Sequence, residues 1–100
     1  MYEIYQGNTF YRKLTVPGYT FKKDDIIHIA ILQTQMGGIL WEDKFTFTEE
    51  TDSYVIDIPA SEIEKLSPGV LTLEIELTYG KGLVKTNQYE LIVKAAGING

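Results

Sequence analysis

The sequence predicts an all-β domain, an antiparallel sandwich of two sheets, and three observations carry that prediction. Residues 71–79 alternate strictly, with Leu71, Leu73, Ile75, Leu77 and Tyr79 on one parity and Thr72, Glu74, Glu76 and Thr78 on the other, the period-two pattern of a strand with one buried and one wet face. The run Ile26 to Leu32 places three β-branched residues, Ile27, Ile29 and Ile31, on a single face. Turn signals (Pro17-Gly18, Gly37-Gly38, Pro68-Gly69, Gly80-Lys81-Gly82) recur between short apolar runs.

Taken in order, Tyr2 to Tyr5 is a short edge strand stopped by Gly7-Asn8. Thr9 to Val16 is a second strand, with Phe10, Leu14 and Val16 on one parity; Arg12 shares that parity and belongs at a rim, because an unpaired buried guanidinium is costly. Pro17-Gly18 turns the chain, and Tyr19 and Phe21 in the polar connection that follows pack back onto the core. Both faces of Ile26 to Leu32 are apolar, as in a central strand covered on both sides. Ile39-Leu40-Trp41 and Phe45-Thr46-Phe47 form one long broken strand or two short ones, and Tyr54 to Ile58 is another strand. Pro59 to Leu66 is the one helical segment, a lid of one or two turns over 61–66; Ser61 and Glu64 have the spacing of a capping box, and Ile63 and Leu66 form its apolar stripe. Ser67 to Val70 reads as a type II turn launching the 71–79 strand.

Gly80-Lys81-Gly82 then closes a hairpin with Leu83 to Val93. A plain three-residue hairpin sets Lys85 opposite Leu77 and Asn87 opposite Ile75, polar groups on a buried face, so a bulge or twist is expected near Thr86 to Gln88. About seven short strands at this spacing match an immunoglobulin-like sandwich, and the same strands suffice for a small closed barrel. A chain of 100 residues is one domain, here a sandwich over 1–94 with a flexible tail at 95–100.

Composition narrows the function. There is no cysteine, hence no disulfide, thiolate metal site or cysteine nucleophile. Nine Lys and Arg against 14 Asp and Glu give a net charge of −5, which argues against nucleic acid or an anionic membrane as the main partner. No signal peptide opens the chain, and no apolar run reaches membrane-spanning length. The one histidine, His28, lies in the most apolar strand without a second histidine or a local nucleophile motif, so no catalytic, cofactor or metal residue is assigned. Asp24-Asp25, Asp43 and Glu49-Glu50-Asp52 lack the spacing of a calcium loop and read as solvated turn residues. If Ile27, Ile29 and Ile31 fill the core, then Ile26, His28, Ala30 and Leu32 point the other way and form a candidate interface for a homo-oligomer, weakened at acid pH when His28 takes a charge. Trp41, with the seven tyrosines, is the candidate glycan contact of an alternative carbohydrate-binding or adhesion module.

Several motifs resemble the small immunoglobulin-like domains of bacteriophage and prophage tail and baseplate proteins, including the N-terminal domain of upper baseplate proteins. They are Gly7-Asn8-Thr9-Phe10, the Ile27-x-Ile29-x-Ile31 strand, Leu66-Ser67-Pro68-Gly69 leading into Leu73-Glu74-Ile75-Glu76-Leu77, Val84-Lys85-Thr86, and Leu91-Ile92-Val93. Leu71 stands where that family often has tyrosine, and Tyr89-Glu90 where it often has glycine. The resemblance implies a non-enzymatic structural or adaptor module with other particle or tail proteins as partners, no cofactor, and a place in the virion or in the host cytoplasm during assembly.

Overall fold

Strict alternation at 71–79 yields the longest paired strands of the molecule. In the computed structural model, which describes residues 1–34 and 37–95, seven strands and one short helix follow in the order β1 (Tyr2–Tyr5), β2 (Phe10–Leu14), β3 (Ile26–Gln33), β4 (Ile39–Thr46), β5 (Tyr54–Ile58), α1 (Ala60–Ile63), β6 (Gly69–Tyr79) and β7 (Leu83–Lys94). One sheet has the order β1-β7-β6-β3-β4 and the other pairs β2 with β5. The all-β two-sheet sandwich expected from the sequence is the observed fold. Its pairing is antiparallel except at one edge, where β1 runs parallel to β7 from Tyr2↔Leu91 to Tyr5↔Lys94. The tail expected at 95–100 lies, from residue 96 onward, outside the described residues.

The core lies between the two sheets. Ile27, Ile29 and Ile31 of β3 and Leu73, Ile75 and Leu77 of β6 meet Phe10, Ile56 and Ile58 of the small sheet, and Ile63 and Leu66 close one end. As the sequence suggested, Phe21 is fully buried, stacked on Phe47 with ring centroids 4.6 Å apart. Arg12 sits at the rim, its guanidinium 5.0 Å from the Phe10 ring centroid and donating to the Tyr11 carbonyl. Gly18 takes φ +73°, which closes the Pro17-Gly18 turn with a Tyr19 N–H bond to the Val16 carbonyl.

Four local expectations are corrected. The β6–β7 ladder runs unbroken from Gly69↔Val93 to Tyr79↔Leu83, with Lys85 opposite Leu77 and Asn87 opposite Ile75. No bulge is needed, because the second layer stops short of this half of β7 and residues 83–88 are exposed on both parities; register costs nothing where neither face is dry. The irregularity lies elsewhere, between Ile31↔Trp41 and Leu32↔Ile39, where Leu40 is the extra residue of β4. The Ser61/Glu64 box does not form: the cap lies two residues earlier, at Pro59, α1 starts at Ala60, and the Pro59 carbonyl receives the N–H groups of Glu62 and Ile63. At the Pro68-Gly69 corner Gly69 has φ +147°, far from the +80° of a type II turn, and already begins β6. Among the described residues the outer face of β3 has no covering layer, since the Tyr19 to Asp25 connection packs on the inner side through Phe21 and the Tyr19–Tyr79 ring contact.

Candidate functional site

Because the small sheet covers only one face of the five-stranded sheet, the other face is open among the described residues, and register decides what it shows. Thr46, Lys44 and Glu42 of β4 stand beside Ile26, His28 and Ala30 of β3; across β3 come Thr78, Glu76, Glu74 and Thr72 of β6, then Val84, Thr86, Gln88 and Glu90 of β7, with Glu3 of β1 at the edge beside Ile92. Five carboxylates from four strands (Glu3, Glu42, Glu74, Glu76 and Glu90) thus share this face with two ammonium groups, Lys44 and Lys94. Lys94 is committed to Glu3 at 2.9 Å, a hydrogen bond that holds the exposed Lys94 ammonium above its usual range.

At the centre of the face His28 Nε2 lies 2.8 Å from Glu42 Oε2. Lys44 and Glu76 flank His28 on its two neighbouring strands, and these residues with Ile26 and Thr78 line a shallow concavity of about 450 Å³. The four residues named from sequence as an interface, Ile26, His28, Ala30 and Leu32, do lie together on this face. Ala30 is buried between Glu42 and Glu74, and Ile26, His28 and Leu32 are half-buried among charged and threonine neighbours.

Trp41 is on the opposite side. It pairs with Ile31 and packs half-buried against the core, as do Tyr2, Tyr19, Tyr54, Tyr79 and Tyr89; only Tyr5 and Tyr11 among the tyrosines are strongly exposed. The aromatic platform of the carbohydrate-binding alternative is therefore not built. Burial pushes the Tyr54 hydroxyl up from its ordinary value, with Asp43 adding to the shift.

The acidic turn residues do not converge. Asp25 is buried and accepts from the Tyr19 hydroxyl at 2.5 Å and the Lys22 N–H at 2.9 Å, whereas Asp52 faces Thr20 at 3.4 Å. Burial and this carboxylate push the Tyr19 hydroxyl up to about 12. Among the described residues no group of three or more His, Cys, Asp and Glu side chains is placed to hold a metal ion, and no helix is long and apolar enough to cross a membrane.

Compared as a sequence, the chain matches no protein-family model and no curated protein. Compared as a structure, it belongs to the class of small two-sheet β-sandwiches. Within that class it is similar to CopC from Methylosinus trichosporium OB3b, with a TM-score of 0.61 and 17% sequence identity, over 98% of this chain and 86% of that one. This finding corrects the expected function: the structural likeness found is to CopC, so the particle adaptor role implied by the sequence resemblance is withdrawn. At this identity the likeness is one of fold.

Proposed function

We propose that this chain is a non-enzymatic recognition domain whose open sheet face docks a cationic partner surface. The observation that carries the reading is the gathering of Glu3, Glu42, Glu74, Glu76 and Glu90 on one face against Lys44 and a Lys94 already paired with Glu3. A single-signed field on one face steers an oppositely charged partner and fixes its orientation more than it sets affinity. Titration of isotopically labelled protein with an octalysine peptide tests it. Amide shifts are expected along β3, β6 and β7 and not on the small sheet, and they weaken as salt rises. The triple change E42Q/E74Q/E76Q is expected to weaken binding about tenfold or more, while E49Q/E50Q/D52N, away from this face, leaves it within about twofold. Equal losses from the two triples would show charge alone at work and refute a specific face.

A second reading rests on the His28–Glu42 pair. An imidazole nitrogen and a carboxylate oxygen 2.8 Å apart are two adjacent ligands for a borderline divalent cation, and Cu²⁺ is the probe with the highest intrinsic affinity for such donors. Two donors imply weak binding, and the fold likeness to CopC supplies no ligand residue. A Cu²⁺ titration in which His28→Ala changes nothing would dispose of this reading.

A further inference from the structure

Among the described residues β4 is an unpaired edge of the five-stranded sheet, and the sequence in the middle of that edge is complementary to itself. Trp41-Glu42-Asp43-Lys44-Phe45 reads aromatic, acid, acid, base, aromatic. We infer that β4 is a homodimerisation edge, pairing antiparallel with β4 of a second copy about a two-fold axis through Asp43, and that Asp43 is the latch that holds this edge closed.

Register follows from the axis. Each residue at 43 + n faces the partner's 43 − n, so Glu42 lies opposite the partner's Lys44, and Lys44 opposite the partner's Glu42, on the outer face. On the inner face Trp41 lies opposite the partner's Phe45. Antiparallel neighbours opposite one another share a face, so both ion pairs and both aromatic pairs form together in this register. A shift by one residue loses them. The groups are available: Phe45 is 40% exposed, Glu42, Asp43 and Lys44 are exposed, and Trp41 is half-buried at the rim.

The latch is visible in the monomer. The Lys44 N–H donates to Asp43 Oδ1 at 2.9 Å. A strand N–H taken by a side-chain oxygen is one turned away from its sheet neighbour, so Lys44 and Glu42 aim their backbone groups at the free edge, and those are the groups that would exchange hydrogen bonds with the partner's Glu42 and Lys44. Before they can, the Asp43 carboxylate must let go. It must also accept the partner's Asp43 directly opposite, a like-charge pair at the closest approach in the interface. Charged residues that blunt a free edge are a common protection against strand-to-strand association. Here the protection sits on the symmetry axis of an edge otherwise matched to itself. Closure by a two-fold axis consumes both edges and gives a dimer rather than a fibre.

Sedimentation equilibrium of the whole chain up to about 1 mM, at neutral pH and low salt, tests the assignment. Asp43→Thr removes the charge and the latch and is expected to tighten dimerisation about tenfold or more over the unmodified chain. In that background Glu42→Lys and Lys44→Glu each set like charges opposite one another at two symmetry-related places and are expected to weaken the dimer about tenfold. The double swap E42K/K44E re-forms opposite pairs and is expected to return the affinity to within about threefold. A D43T protein that remains monomeric at 1 mM, or a double swap no better than either single change, overturns the inference.

Discussion

Asp25 is the one buried charged side chain among the described residues, 4% exposed, and replacing it by alanine is the sharpest test of how the connection into β3 is held. A single carboxylate oxygen, Oδ2, receives the Tyr19 hydroxyl at 2.5 Å and the Lys22 N–H at 2.9 Å. Hydrogen bonds to a charged acceptor are worth about 1.5–3 kcal/mol each, and a buried donor left without a partner costs about 1–3 kcal/mol. The Tyr19 hydroxyl is half-buried and can turn to water, so the losses do not add in full, and Asp25→Ala is expected to cost about 3 kcal/mol. In a domain of this size that lowers Tm by roughly 12–24 °C, a large part of a typical net stability of about 5–15 kcal/mol. Tyr19→Phe removes one bond and leaves the carboxylate on the Lys22 N–H, for about 2 kcal/mol. Urea unfolding followed by Trp41 fluorescence measures both, and the double change completes a cycle whose coupling energy is expected to be about 1–2 kcal/mol. If both single variants unfold within about 0.5 kcal/mol of the parent, or the coupling is zero, the contact is a bystander and the reasoning fails.

Two further outcomes follow from the same structure. Because the folded-state pKa of Tyr19 is raised from 10.0 to about 12, the neutral hydroxyl contributes stability that is full below pH 10 and is lost as pH climbs through about 12; an absorbance titration at ~295 nm should show one tyrosine ionising late, together with alkaline unfolding, and that late step should vanish in Tyr19→Phe. Ile63, fully buried in the four-residue α1, is the plug of the lid, and Ile63→Ala is expected to cost about 2–5 kcal/mol by chemical denaturation; a loss below about 1 kcal/mol would mean that the lid does not seal the core.

The sequence by itself determined which residues share a face. Alternation at 71–79 and at 27, 29 and 31 is a local property of extended backbone, so the core of the large sheet, the Pro17-Gly18 turn and the hairpin at Gly80-Lys81-Gly82 are legible in the sequence. His28 was legible as the one histidine on an outward parity. What lies over a face, and which strand comes beside it, is not local. Lys85 and Asn87 are on the inward parity and yet wet, because the small sheet stops short of them. Trp41 turns in against the core rather than out toward a sugar, because the register that sets Phe45 opposite Ile27 also sets Trp41 opposite the buried Ile31. Glu42, the partner of His28, and the clustering of Glu3, Glu74, Glu76 and Glu90 on the same face depend on strand order and register between segments far apart in the chain. Period two assigns each side chain a side; only the tertiary packing decides whether that side is dry, charged or shared.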